Sequence, residues 1–355
     1  MVPSNALIEP PRGFRMPAEW MRHQATWISW PHNSDTWPGK LGAIEAPMVA
    51  VVSALAVVET VHINVLDEDH ARYLEGLLRG RTPSGSVVLH RIPTNDAWCR
   101  DHGAIFVSGA AGNGQALLAL KFAYNAWGGK YPPFDLDRTV AEKMAQALGV
   151  PWLESTMVLE GGSIEVNGDG ALMTTEQCLL NPNRNPGMDR ESMERIMQRA
   201  FVVGDIIWLG EGIEGDDTDG HIDELSRFVS RQSVVTAVEP NRSDPNHAPL
   251  QANRRRLEEA RLGGGRLEIL DLPMPEPIYY RGERLPASYA NYYVANEIVL
   301  VPAFGVPQDR SAISILSSCF PDRRMLSIDC RDLVVGLGGL HCLTQQVPAG
   351  ALGLS

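Results

Sequence analysis

Paired cysteines, basic runs and long apolar stretches are all scarce in this 355-residue chain. The five cysteines, Cys99, Cys178, Cys319, Cys330 and Cys342, are an odd number with no Cys-x-x-Cys spacing, so neither a disulfide framework nor a thiolate zinc site is indicated. Lysine and arginine total 31 against 43 acidic residues, a net charge of −12, and no basic run exceeds Arg254-Arg255-Arg256. That balance argues against a nucleic-acid partner and suits a small cationic ligand, although an ordinary acidic surface is the plainer explanation. The longest apolar run, 48–58, is interrupted by Ser53 and is too short to span a bilayer. Residues 1–15 carry Pro3, Pro10 and Pro11 and lack an apolar signal core, and are expected to form an extended N-terminal segment. Together these absences predict a soluble protein of a reducing cytoplasm with no membrane partner.

What is present alternates. Residues 26–30 read as a strand, and Trp27 and Trp30 within it as core; a helix is predicted from Pro47 to about Val58. Buried strands at 61–66 and 87–92 flank a helix at 68–78, and further helices are predicted over 137–148, 189–200, 249–261 and 310–318. Strands at 206–209, 228–238, 267–272, 298–301 and 325–329 complete an α/β pattern, with a glycine-rich hairpin at 109–114 and an Asn167-Gly168-Asp169-Gly170 hairpin.

Polar clusters interrupt this pattern at intervals of roughly 60 residues, at Asp101, Glu160, His221, Asn291 and Cys342. The regularity suggests units that each deliver one loop to a common centre, without a convincing sequence repeat. The 94–103 cluster holds Asp96, Trp98, Arg100, Asp101 and His102; its structural reading is an Arg100 salt bridge to one of the aspartates. Glu160 is flanked by Leu159 and two glycines, so it is expected to be half buried and to need a partner, such as a histidine. His221 and Asp223 are two apart, which in extended chain turns both side chains the same way. On the same rule His341 faces away from Cys342 and receives no role.

Cys342 follows two glycines and precedes Leu343-Thr344-Gln345-Gln346, a setting that suits a nucleophile better than a core filler. A thiol near its reference pKa of about 8.5 is mostly protonated at neutral pH, so it needs a base or a cation beside it. A thiol, a His-x-Asp pair and two further carboxylates are the materials for attack on a cationic carbon flanked by nitrogens, with carboxylates gripping the guanidinium through charge-assisted hydrogen bonds. A metal-dependent hydrolase remains an equal reading at this level, because His221, Asp223, Asp219, Asp101 and Glu160 are all possible ligands.

The motifs are more specific than the spacing. Met16-Pro17-Ala18-Glu19-Trp20, Asn125-Ala126-Trp127-Gly128-Gly129-Lys130-Tyr131-Pro132-Pro133, Leu159-Glu160-Gly161-Gly162-Ser163, Asn181-Pro182-Asn183-Arg184-Asn185-Pro186, Thr218-Asp219-Gly220-His221, Pro302-Ala303-Phe304-Gly305 and His341-Cys342-Leu343-Thr344-Gln345-Gln346 span nearly the whole chain. In these stretches the sequence resembles the agmatine deiminases, relatives of bacterial peptidyl-arginine deiminase among the guanidino-group-modifying enzymes. The resemblance implies a single-domain, five-bladed pseudo-fivefold α/β propeller (pentein) over 1–355, assembled as a homodimer or larger homo-oligomer. It implies hydrolysis of a guanidino substrate to a ureido product and ammonia, with no metal and no organic cofactor. By the same resemblance Cys342 matches the nucleophile, His221 the general acid/base, Asp101 and Asp223 the guanidinium-binding carboxylates, and Glu160 the acid that positions the histidine. Trp98, Asp96, Asp217 and Asn291 are expected to line the substrate pocket. Two departures stand in the histidine motif: Asp217 where those enzymes typically carry glutamate, a position that the resemblance implies helps receive the substrate's far end, and Glu224 where they carry asparagine. Gly339-Leu340 also stands where Asn-Ile is common.

Overall fold

The computed structural model describes residues 5–111 and 114–350. The tip of the 109–114 hairpin and the first four residues of the expected N-terminal segment lie outside the described residues.

Five sheets share one wiring. In each, a short first strand pairs antiparallel with a central strand, a helix follows, and a third strand returns parallel to the centre. The first strands are Thr344–Pro348, Ile105–Ala111, Glu165–Val166, Ser226–Phe228 and Tyr293–Val294, paired in that order with His23–Ser29, Gly114–Ala123, Ala171–Thr175, Ser233–Val238 and Ile298–Ala303. The returning strands are Thr60–Val65, Trp152–Val158, Asp205–Leu209, Glu268–Pro273 and Arg324–Asp329. The helices that make those returns are Glu45–Leu55, Val140–Leu148, Arg190–Phe201, His247–Glu259 and Gln308–Cys319, since a parallel pair cannot be joined by a tight hairpin. Each helix packs its apolar stripe on a sheet, as Val140, Met144 and Ala145 do against Phe106 and Ala119.

Local chemistry sets the helix ends. The Asp189 side chain accepts from Ser192 N to cap 190–201, and Gly149, at φ 66°, closes 140–148 in the left-handed region. Trp27 and Trp30 are core as expected, with the Trp27 indole donating to Asn64 Oδ1 at 2.8 Å. Two expectations need correction. The 87–92 strand is not buried as a whole: Val87–Arg91 is the edge of its sheet, with Val88 and Arg91 exposed and Val87, Leu89 and His90 half-buried. The 228–238 strand is a hairpin, Ser226–Phe228 against Ser233–Val238.

Immediately before each first strand lies a short helical turn: Cys99–His102, Gly161–Ser163, Ile222–Glu224, Tyr289–Asn291 and Leu340–Leu343. Each turn packs on the next and the last packs on the first, closing a ring. This is the five-bladed α/β propeller that the motifs imply, and it explains the sixty-residue rhythm: one structural unit separates each polar cluster from the next. The repeat is one of backbone path, which is why side-chain identities do not display it.

Candidate active site

The ring encloses the floor of a cavity of about 850 Å³. Cys342 and Asp101 lie at its base, Trp98 and Trp127 form walls, and Asp96, Tyr131 and Asp217 line it farther out. Burial rises inward: the Asp217 side chain is 41% exposed and Cys342 only 5%.

Cys342 belongs to the Leu340–Leu343 turn, held against the neighbouring turn by Asn291. The Asn291 carbonyl accepts from the His341 amide at 2.9 Å, and its amide nitrogen lies 3.1 Å from Cys342 Sγ and 2.9 Å from Glu224 Oε1. This approach requires Gly339, where a Cβ would sit 2.5 Å from Asn291 Oδ1. Sγ also has Asp223 Oδ2 at 3.7 Å and Glu224 Oε1 at 3.9 Å. Burial together with the charges of Asp223, Glu224 and Asp101 raises the thiol well above its ordinary pKa.

Asp101 is fixed by two donors, Gly162 N at 3.0 Å and the Trp127 indole at 2.9 Å. Its Oδ1 stands 3.8 Å from His221 Nδ1. Burial lifts the Asp101 pKa to about 6 in spite of the nearby histidine. Gly162 marks how tightly the three groups converge: a Cβ there would meet His221 Nδ1 at 2.6 Å, Asp101 Oδ1 at 2.9 Å and Asp223 Oδ2 at 3.1 Å.

His221 is fully buried, its amide donating to Asp216 Oδ2 and Thr218 Oγ1, both at 3.1 Å. Neither ring nitrogen has a hydrogen-bond partner among the described residues. Burial alone would lower its pKa; Asp101, first among the neighbouring groups, outweighs that and raises it well above the usual imidazole range. The surrounding acids, with Cys178 beside the ring, thus favour the protonated imidazole.

Glu160 sits next to His221, but its Oε1 accepts from Arg184 Nε at 2.6 Å, and Arg184 also reaches Asp219 Oδ2 at 2.5 Å. The expected histidine is thus a neighbour of Glu160 and an arginine is its partner. Among the described residues the group of three donor atoms lying within 4.8 Å of one another is Glu160, Cys178 and His221, which takes in two of the residues considered as metal ligands and leaves out Asp101, Asp219 and Asp223.

His341 departs most from expectation. The segment is helical, not extended, so its ring turns inward: Nδ1 lies 2.7 Å from Asp223 Oδ2 and Nε2 2.8 Å from Glu19 Oε2. Burial acts to raise Asp223, but the His341 hydrogen bond and charge keep its pKa lowered, whereas burial and Asp223 push Glu224 well above the carboxylate range. Arg100 pairs with Glu19 at 3.2 Å and donates to Gln346 Oε1 at 2.6 Å, so the expected aspartate bridge does not form. His102 is a buried turn residue bonded to Ser29 Oγ at 2.9 Å rather than a loop residue. His221 and Asp223 do converge, through a tight turn rather than an extended strand. Reading by spacing passed over Glu19, Arg184, Glu224 and His341; Glu19, Arg184 and His341 lie inside the recognised motifs, where a charged residue among prolines, aromatics or glycines was the available signal.

A model of the Porphyromonas-type peptidyl-arginine deiminase family matches residues 15–348. The chain is 37% identical over 361 residues to the agmatine deiminase of Ectopseudomonas mendocina, covering 95% of this chain and 96% of that one. It is 36% identical to the Pseudomonas aeruginosa agmatine deiminase with the same coverage. Among solved structures, a Cys-to-Ser form of C. jejuni agmatine deiminase with substrate bound aligns with a TM-score of 0.86 at 30% identity, over 95% of this chain and 97% of that one.

Proposed function

The chain belongs to the Porphyromonas-type peptidyl-arginine deiminase family, and from that premise we propose that it hydrolyses a guanidino-amine, agmatine first, to the ureido product and ammonia through a covalent bond to Cys342. One observation carries this reading: a buried thiol and a buried histidine, whose ring nitrogens have no hydrogen-bond partner among the described residues, flank Asp101 and Asp223 at the base of an acid-lined cavity.

The guanidinium docks against Asp101 and Asp223, each retaining acceptor capacity toward the floor. Arrival of the cation offsets the carboxylate field that raises the Cys342 thiol and lowers its pKa, so the thiol loses its proton to solvent and becomes a thiolate beside its target. Sγ then attacks the central carbon. A C–S bond forms, the C=N electron pair moves onto nitrogen, and the carbon becomes tetrahedral. His221 donates its proton to one amino group, which departs as ammonia with the C–N electron pair and leaves a thiouronium on Cys342. Neutral His221 next takes one proton from water as the water oxygen bonds to carbon; the C–S bond then breaks with its electron pair on sulfur, the remaining hydroxyl proton passes to Sγ as the C=O bond forms, and the neutral ureido product is freed with Cys342 again a thiol. Glu160 and Asp101 keep the imidazole charged between turnovers.

The test is ammonia release with ureido-product formation from agmatine, compared with arginine and guanidinobutyrate, in wild type and Cys342→Ala. Turnover of agmatine that vanishes in the variant supports both reaction and nucleophile. Equal or better turnover of arginine or guanidinobutyrate overturns the amine preference. Activity lost to a chelator but kept by Cys342→Ala would establish metal-dependent hydrolysis in its place.

A further inference from the structure

Two acidic residues of the cavity wall are candidates to receive the substrate's amine, and they are in different electrostatic states. The Asp217 carboxylate is already engaged: Tyr131 donates its hydroxyl to Oδ2, and Lys130 Nζ lies 3.4 Å from Oδ1 while donating to the Asp217 carbonyl at 2.5 Å. Its side chain is 41% exposed, where an ion pair is weak and screened. Asp96 is the opposite case. Its oxygens accept only from the Thr36 hydroxyl at 2.6 Å and from Ala97 N at 2.7 Å, and no lysine or arginine among the described residues pairs with it. Burial, with Asp137 nearby, lifts its pKa to about 6. A half-buried carboxylate without a cation gains more from an arriving ammonium than an exposed one that already has a cation.

Chain position strengthens the contrast. Asp96, Trp98 and Asp101 come from one stretch of chain and all line the cavity, so the segment whose last member sits on the floor beside Cys342 also supplies the wall and the carboxylate farther out. We propose that Asp96, not Asp217, is the specificity-determining residue that reads the distal ammonium of the substrate. This rests on the guanidino-amine reading of the site. Lys130, anchored to Asp219 Oδ1 at 2.9 Å as well as to Asp217, keeps the Asp217 side of the rim neutralised, so the shorter acid at that position is a structural partner of Lys130 and Tyr131.

The experiment compares kcat/KM for agmatine and for butylguanidine, which has the same chain without the amine, in wild type, Asp96→Asn and Asp217→Asn. Asparagine removes the charge and keeps one acceptor oxygen for Ala97 N, with its amide nitrogen turned to the Thr36 hydroxyl, whose oxygen can accept. Asp96→Asn is expected to lower kcat/KM for agmatine by about ten- to a hundredfold and to shift butylguanidine by less than about threefold. Asp217→Asn is expected to move both substrates by the same factor. Loss of agmatine preference in Asp217→Asn with retention in Asp96→Asn overturns the assignment, as does an equal loss for both substrates in Asp96→Asn. Calorimetric binding of agmatine to Cys342→Ser, with and without Asp96→Asn, reads the same contact without turnover. A tenfold or greater weakening supports the assignment even if the hydrolysis reading fails, and unchanged affinity overturns it.

Discussion

Two buried charge clusters meet at the centre of this protein, and only one of them is complete. On one side Glu19, Arg100, Glu165, Arg227 and His341 form a closed network: Arg227 reaches Glu165 Oε2 at 2.8 Å and Glu19 Oε1 at 3.0 Å, and Glu19 Oε2 serves both Arg100 and His341. Val294 N and Phe228 N satisfy the remaining carboxylate capacity. On the other side Glu160 Oε2, Asp223 Oδ1, Glu224 Oε2 and both His221 nitrogens have no hydrogen-bond partner among the described residues. A buried charge that lacks a partner is expensive for folding. The network spends its charge on holding the turns together, with Arg227 also donating to the Ala290 and Tyr292 carbonyls; the floor keeps its charge for a cation that comes and goes. His341 and Asp223, 2.7 Å apart, are where the two clusters touch.

The contrast is broken most severely by removing the reacting groups themselves. Cys342→Ala should abolish turnover by at least about a thousandfold while the melting temperature stays near wild type, checked by product assay and thermal unfolding. His221→Gln should lower kcat by about a hundred- to ten-thousandfold, again with the fold retained, and single-turnover assays should show slower loss of ammonia. The network answers differently. Arg227→Leu leaves Glu19 and Glu165 buried without their arginine and should destabilise the fold by about 3–5 kcal/mol in denaturant titration.

Acid separates the two clusters by a smaller margin. Asp101 has a folded pKa raised to about 6, above its unfolded value, so protonation as pH falls through 6 favours the folded state while removing charge from the guanidinium site. Glu19 is the reverse: burial opposes its charge, but Arg227 and His341 outweigh burial and hold its pKa well below the usual value. Its stabilising contribution is present above the unfolded pKa of about 4.3 and is lost as pH falls through the depressed folded value. Below pH 6, kcat/KM should therefore fall by up to about tenfold per pH unit while thermal stability persists to lower pH. The smallest effect belongs to Glu224→Gln. Because burial and Asp223 push the Glu224 pKa well above the carboxylate range, the neutral amide should change stability by less than about 1 kcal/mol, and a larger loss would mean that the carboxyl group itself holds the floor together.

How much of this was legible in the sequence follows the same division. Cys342, His221, Asp101, Asp223 and Glu160 were found because each lies in a short polar break between apolar elements, and the ring of turns brings all five together. The strand alternation that turns His341 away from Cys342 does not hold in what is a helical turn; four residues between Gly339 and a strand give no periodicity to choose between the two. Arg227 carries no local signal at all: it stands in a three-residue strand, and its partners Glu19 and Glu165 are remote in sequence and meet only in the folded ring. The fivefold path was visible as spacing alone, because each unit repeats its strand and helix order without repeating its residues.

The claim that substrate charge completes the floor and thereby activates Cys342 is tested most directly by titrating the thiolate. Thiolate absorbance of wild type minus that of Cys342→Ser, followed against pH with and without a non-hydrolysed amidinium ligand, reports the pKa of this one thiol. A pKa well above the ordinary thiol value in the free protein that falls by more than one unit on binding is the predicted result. Identical titration curves, or a thiolate already formed at neutral pH without ligand, would contradict it.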